Sequence, residues 1–367
     1  MARPSQARLD LAALRHNAAH ARRLAPGAKL MAVIKANAYG HGSLTIARAL
    51  AADADAFAVA SLEEAVLLRD AGIEHPILLL EGVFEPRELD TAAALNLWLT
   101  VAGEEQLAWL EEARLPHPLQ CWLKVDTGMH RLGVDVQAAE TLYRRLGACR
   151  NSRDTPMLYT HLACADYRTD NATQRQLALF DTLCPGAPRS AANSAGLIAW
   201  PAAHYDWVRP GYMLYGNSPM LEEHANAAAL KPVMTLASAV IALRDVAAGE
   251  AVGYGGTWGA SRPSRIATVA IGYGDGYPRQ AANGTPVLVG GQAASLAGRV
   301  SMDMLTVDVT GLNGIRHGSE AILWGEGLPL NTVARHAGGS GYELITRMPS
   351  RTPRIVLADT EAPPASR

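Results

Sequence analysis

A lysine closes the short apolar run Val33-Ile34-Lys35 and is followed by Ala36-Asn37-Ala38-Tyr39-Gly40-His41-Gly42. An amine at a strand end can form an imine with an aldehyde cofactor when burial or cationic neighbours lower its pKa. By position alone, a lysine that snorkels to solvent is the commoner reading. Further along, Lys124-Val-Asp-Thr-Gly-Met-His-Arg131 sets two cations seven residues apart, His161 ends another apolar run, and Arg209 precedes Pro210-Gly211-Tyr212. Taken singly, these are an ordinary strand lysine, a satisfied core histidine and an ion-pair arginine. Asn193-Ser194 offers amides and a hydroxyl to a phosphate, or is simply a turn or helix cap. In the last third, Tyr254 lies in Val252-Gly-Tyr254-Gly-Gly-Thr257, and Tyr273 and Met302 sit in Gly-rich surroundings. A phenol with an ordinary pKa of about 10 acts as a base only with help from nearby positive charge. Without such help Tyr254, Tyr273 and Met302 are packing residues of a β domain.

The elements that must carry these residues change character along the chain. Leu30–Ile34, Ala56–Ala60, Ile77–Leu80, Leu97–Val101, Cys121–Val125 and Met157–His161 are short continuous apolar runs, with two weaker ones near Ser190–Ala192 and Trp207–Val208. Continuous runs suit strands buried on both faces, as in a parallel sheet. Helical patterns fall between them: Leu44–Leu50, and a segment opened by Ser61-Leu62-Glu63-Glu64, in which Ser61 can cap and Glu64 reach back, and which Gly72 ends. About eight β-then-α units predict a (β/α)8 barrel, and a doubly wound open sheet shares the same local pattern. From Met234 the runs become Gly-punctuated and strand-like: Thr235–Leu243, Ile266–Ile271, Pro286–Val289, Leu305–Val309 and Ala321–Trp324, with no convincing helix until Asn331–His336. The expected organisation is a barrel over residues 1–228 and a mostly antiparallel β domain over 229–367, with a frayed tail from Ala358.

The chain has 367 residues, 49% of them apolar, which is ample for two buried cores. Its net charge of −2 gives no electrostatic reason to expect nucleic acid or an anionic membrane as partner. Four scattered cysteines without C-x-x-C or zinc-ligand spacing predict buried thiols in a reducing compartment and no metal site. The absence of a signal-like or membrane-length apolar run makes the cytoplasm the expected location.

Taken together, the motifs resemble those of the bacterial alanine racemases. The eight contiguous residues Lys-Ala-Asn-Ala-Tyr-Gly-His-Gly, 35–42, are similar to that family's cofactor-lysine signature. The resemblance implies that Lys35 carries pyridoxal 5'-phosphate and is one of two catalytic bases, with Tyr39 bonded to the cofactor phosphate. The segment from Lys124 to Gly133 resembles K-V-D-T-G-M-x-R-L-G, which implies that Arg131 sits beside the cofactor phenolate and the substrate carboxylate. There the lysine matching Lys124 is often carbamylated and partners that arginine. His161 would stack near the cofactor ring, and Asn193 and Ser194 would reach the phosphate. Arg209 to Gly216 resembles R-x-G-[I/Y/V]-x-L-Y-G, which gives the Gly211 and Tyr212 backbone to the phosphate and Arg209 to the pyridine nitrogen. An arginine there stays protonated and disfavours a proton on that nitrogen, so the ring is a weaker electron sink. A short-lived carbanion suits racemisation, since a long-lived one invites transamination.

Racemisation also needs a base on the opposite face of a planar centre. The resemblance of 253–257 to G-Y-G-x-[TR] implies that Tyr254 is that base. Residues 271–279 resemble I-G-Y-x-D-G-[YWL]-x-R, so Tyr273 would narrow the substrate entrance. Residues 298–303 resemble G-R-V-[SC]-M-D, which places Met302 at the substrate carboxylate, with Asp303 in support. In the family these residues reach the neighbouring subunit's site, which implies a head-to-tail homodimer with shared active sites, interconverting L-alanine and D-alanine. Two positions depart from the pattern. Ser190 stands where some members have a histidine that packs on the pyridine-binding arginine. Ser350 stands before Arg351-Thr-Pro-Arg354, near which some members have a phosphate-binding tyrosine, so that contact is not carried over. A decarboxylase of basic amino acids would pair the ring nitrogen with a carboxylate, against Arg209. A barrel that only holds pyridoxal phosphate would lack the β domain. A sugar- or nucleotide-binding barrel would need a phosphate motif that is missing here.

Overall fold

The computed structural model describes residues 3–358. Among them, eight parallel strands close a barrel: Lys29–Val33, Ala56–Val59, Ile77–Leu79, Trp98–Val101, Leu119–Lys124, Ser152–Tyr159, Arg189–Ser190 and Trp207–Val208. The last pairs back onto the first through Lys29 with Trp207 and Leu30 with Val208, which excludes the open-sheet alternative. Helices such as Leu11–Leu24, Leu62–Asp70 and Val136–Ala148 cover the outside. Inside, Trp122 meets Trp98, Trp207 and Tyr159 at ring-centroid distances of 5.9, 5.8 and 5.7 Å. That aromatic plug fills the barrel, so any ligand must bind at the rim formed by the strands' C-terminal ends.

The second sheet has the strand order Ser264–Val269, Leu305–Asp308, Gln292–Leu296, Pro286–Val289, Glu320–Trp324, Met234–Val246, Gln6–Leu9, Arg354–Val356. Met234–Val246 also pairs with Ser264–Val269, which curls the sheet back on itself. Its pairings are antiparallel except Gln6–Leu9 with Arg354–Val356. Leu9, Leu236, Val269, Val307 and Trp324 build its core.

The structure departs from the sequence reading at four points. Gln6–Leu9 belongs to the second sheet although it falls in the segment read as barrel; its four alternating residues are too few to register as a strand. Gln292–Leu296 and Arg354–Val356 escaped notice because the first has a single large apolar residue and the second is only three residues long. The helix Gly341–Thr346 is a single short turn-and-a-half. At Ser61 no side-chain cap forms; Glu64 instead accepts from the Ala60 amide at 2.8 Å and the Ala36 amide at 2.6 Å. All four cysteines are free thiols, and Cys121, Cys149 and Cys184 are buried. No described helix is long and apolar enough to cross a membrane. The tail beyond Ala358 lies outside the described residues.

Candidate active site

Lys35 leaves its strand into an unusual turn. Ala36, Asn37, Ala38 and Tyr39 all have φ between 51° and 53°, a left-handed helical turn of non-glycine residues. Such backbone is unfavourable by roughly 1–2 kcal/mol per residue, so the surroundings must hold it. Glu64 anchors its first amide, and Asn37 Oδ1 accepts from the Ser43 amide at 2.9 Å. Arg354 donates to the Gly40 carbonyl from Nε at 3.0 Å and Nη2 at 2.9 Å. His41, buried beneath, donates from Nδ1 toward the Tyr39 and Ala38 carbonyls at 2.9 and 3.1 Å. Burial pushes its pKa down to about 4, against those two hydrogen bonds, so the ring is neutral.

The lysine amine is half-buried, and its pKa is lowered by that desolvation, with Arg131 acting the same way and Glu81 and Glu64 opposing. Lys124 is buried, and desolvation with Arg209, Arg131 and Lys35 brings it down to about 8, Glu81 opposing. Lys124 Nζ and the Arg209 guanidinium approach the Tyr159 ring to 5.6 and 5.1 Å. Arg209 is buried and donates to the Thr160 carbonyl at 2.6 Å and to Ser190 Oγ. Burial lowers its pKa to about 10, which still leaves it charged at neutral pH. Ser190, in the place of the family histidine, thus supports Arg209 directly, and itself donates to the Trp207 carbonyl at 2.7 Å. His161 is held well below its usual pKa by burial and by Arg209, Lys124, Arg131 and Lys35, so it is a neutral ring among cations. Lys124, Arg131, Thr160 and His161 line one cleft at the rim. Arg131 reaches it from a loop pinned by Asp126, whose Oδ1 accepts from the amides of Gly128, Met129 and His130 at 2.9–3.0 Å.

A second cluster adjoins this one. Ser194 Oγ, buried, accepts from the amides of Gly211 at 2.9 Å and Met213 at 3.3 Å. Asn193 caps the helix Ser194–Ala199 by accepting from the Gly196 amide at 2.9 Å, which fixes the serine's direction. Tyr212 begins a 3-10 turn, so its amide belongs to the first turn and has no partner within it. A Cβ on Gly211 would lie 2.6 Å from the Tyr39 hydroxyl, so any side chain there would displace the Tyr39 ring. Burial raises the Tyr39 pKa to about 12 and keeps it a neutral donor. The second domain meets this cluster through Tyr342, stacked on Tyr212 at 3.7 Å and 6.3 Å from Tyr39. The resemblance pointed to an aromatic near Arg351–Arg354, a contact not carried over because Ser350 precedes that stretch; Tyr342 lies eight residues before Ser350. Glu81 went unassigned, Glu64 was read only as a helix-capping residue, and Ser190 was noted only as a departure from the family histidine beside Arg209.

The remaining candidates stand apart. Tyr254 is 72% exposed, Met302 53% and Tyr273 38%. Among the described residues, no hydrogen bond, ion pair or ring contact joins them to the barrel rim. They share a face of the β domain instead: the Tyr273 amide donates to the Ser301 carbonyl at 3.0 Å, and Arg299 lies beside the loop around Tyr254.

The family model described as alanine racemase, N-terminal domain, matches residues 9–219, and that for the C-terminal domain matches 233–356. The biosynthetic alanine racemase of Escherichia coli K12 is 53% identical over 343 residues, 92% of this chain and 95% of that protein. This chain belongs to the alanine racemase family. Among solved structures, the biosynthetic alanine racemase of Pseudomonas aeruginosa superposes with a TM-score of 0.93 at 50% identity, covering 97% of this chain and all of that one. The alanine racemase of Acinetobacter baumannii gives 0.90 at 36% identity, with 97% of this chain and 100% of that one covered. In alanine racemase terms, Lys35, Arg131, His161, Ser194 and Arg209 fall in the first matched segment, and Tyr254, Tyr273 and Met302 in the second.

Proposed function

We propose that this protein interconverts L-alanine and D-alanine with pyridoxal 5'-phosphate bound at the barrel rim. The observation that carries the reading is the pairing of two clusters there: a half-buried lysine of lowered pKa among cations, and the cradle of Ser194, Gly211 and Tyr39. The cradle fits a phosphate, since it presents a serine hydroxyl, a neutral phenol and backbone amides where a Cβ would block approach. When bound, the cofactor supplies a conjugated ring that withdraws electrons from the substrate's α-carbon.

The chain's own groups do the rest. Lys35 holds the cofactor and exchanges a proton at the α-carbon on one face. Arg209, charged and fixed by three acceptors, keeps a proton off the ring nitrogen. His161 packs beside the ring as a neutral group. Arg131 and the Met302 backbone orient the substrate carboxylate, and Tyr273 narrows the entrance to favour a methyl side chain. Lys124, with about half of its amines neutral near pH 8, is suited to add carbon dioxide as a carbamate, releasing one proton to solvent, and so to give Arg131 an anionic partner.

Tyr254 supplies the opposite face from a second copy of the chain, in a head-to-tail dimer. Its exposure supports this, as do two sets of exposed apolar side chains. Phe84, Leu132, Tyr167 and Leu221 lie on loops after barrel strands, and Tyr254, Tyr273, Met302 and Met304 lie on the β domain. Four free thiols suit a cytoplasmic setting. The test is incubation with L-alanine in deuterated water, following α-proton exchange and D-alanine. Borohydride trapping should fix the cofactor on Lys35, and a protein that neither traps cofactor nor forms D-alanine would end the proposal.

A further inference from the structure

Tyr273 and Met302 sit on different loops, yet both must be placed to within a fraction of an ångström if they shape one carboxylate site. Their backbones meet directly: the Tyr273 amide donates to the Ser301 carbonyl at 3.0 Å and the Gly274 amide to the Met302 carbonyl at 2.9 Å. A Cβ at Gly272 would overlap the Ser301 carbonyl, so the two loops are as close as backbone allows. Two hydrogen bonds between exposed loops are a weak clamp on their own.

Beneath the junction lies a carboxylate that has no part in the reaction scheme. Asp275 is 1% exposed. Its Oδ2 accepts from the Gly272 amide at 2.9 Å and from Arg3 Nη2 at 2.7 Å. Arg351 Nε stands 2.9 Å from Oδ1, an ion pair whose N–H does not aim at the oxygen. Both arginines then reach the Met302 loop. Arg3 Nη2 donates to the Asp303 carbonyl at 2.9 Å, and Arg351 Nη2 pairs with the Asp303 carboxylate. The Thr352 hydroxyl closes the ring by donating to the Asp275 carbonyl at 2.8 Å. Two aspartates and two arginines balance in charge, and each arginine bridges the two loops. A buried carboxylate is costly unless so paired, and removing one partner strands the others.

We propose that Asp275, with Arg3 and Arg351, is a positioning unit that locks the Tyr273 turn and the Met302 loop into one rigid surface, and thereby sets substrate affinity and the preference for alanine over serine. It rests on the assignment of Tyr273 and Met302 to the substrate's end of the site. The unit touches neither substrate nor cofactor, so its loss loosens the carboxylate site and entrance while leaving proton transfer to Lys35 and Tyr254. The signature is a split: KM rises while kcat holds.

The experiment uses the holoenzyme. Asp275→Asn keeps the shape and loses the charge, and Arg351→Ala removes one bridge from a side chain that is 39% exposed, so folding survives in at least the second. Both variants should raise KM for L-alanine by about tenfold, with kcat within about twofold. Both should also lower the ratio of kcat/KM for alanine over serine, with the cofactor absorbance unchanged, and Arg351→Lys should recover part of the loss. Tyr273→Ala is measured alongside. If it shifts KM and selectivity but Arg351→Ala does not, the positioning role is overturned. If Tyr273→Ala moves neither quantity, the assignment of the gate fails and takes the proposal with it.

Discussion

Glu64 is the side chain on which the geometry of the lysine turn most visibly depends, and Glu64→Ala measures how much. Four consecutive left-handed residues carry an intrinsic cost of about 4–8 kcal/mol, which the anchors must offset. Glu64 accepts from the part-buried Ala60 amide and the exposed Ala36 amide. A charge-assisted bond contributes about 1.5 kcal/mol in the first place and, with water at hand, about 0.5 in the second. Losing about 2 kcal/mol shifts the equilibrium between the competent turn and its alternatives roughly thirtyfold, and apparent cofactor affinity falls by up to that factor, according to how marginally the remaining anchors hold the turn. Glu64→Gln keeps one oxygen acceptor and should lose less than about tenfold. The charge effect runs the other way. Burial lowers the Lys35 pKa and Glu64 partly opposes it, so removing the carboxylate frees more amine for the cofactor. Fluorescence titration of apoenzyme with pyridoxal phosphate separates the two. Affinity of Glu64→Ala within twofold of wild type, or tighter, would refute the anchoring argument.

Three further outcomes are expected. Tyr254→Phe should retain cofactor trapping at Lys35 while racemisation, followed by chiral chromatography of alanine, drops by at least about a hundredfold. Gly211→Ala places a methyl 2.6 Å from the Tyr39 hydroxyl, and should cost about 1–3 kcal/mol in urea unfolding and weaken phosphate binding. Lys124 has a folded-state pKa lowered from 10.5 to about 8 by burial first and then by neighbouring cations. Burying its charge therefore destabilises the fold fully below pH 8, and the penalty is relieved as pH climbs through 8 toward 10.5, where the unfolded chain also loses its proton. In carbon-dioxide-free buffer, Lys124→Met should be more stable than wild type at pH 7 and lose that advantage across this window. A pH-independent difference would argue against a charged Lys124 in the fold.

The barrel was legible because its strands are buried on both faces and so read as uninterrupted apolar runs: even the two-residue strand Trp207–Val208 was marked. Closure was not legible, since an open sheet gives the same runs and only the pairing of Lys29 with Trp207 decides. The edges of the β domain were missed where strands such as Arg354–Val356 have little to bury. The candidate site residues were proposed from contiguous motifs, whereas Glu64 and Asp275 act through long-range backbone and ion-pair contacts that spacing does not encode. Ser61-Leu62-Glu63-Glu64 illustrates the failure. The capping pattern was present, but the glutamate found better partners outside its helix, at Ala60 and Ala36.

The strand Gln6–Leu9 lies between Met234–Val246 and Arg354–Val356, so the whole barrel is an insertion within the other domain's sheet. During synthesis the barrel segments emerge before most of their neighbour's strands exist, and can close while Gln6–Leu9 still waits for a partner. A folded barrel then holds residues 9 and 234 near one another, turning a span of more than two hundred residues into a short effective loop. The topology thus favours an order in which the β domain zips after its guest has folded, and a variant that slows barrel closure would leave the first strand longer as an unpaired edge.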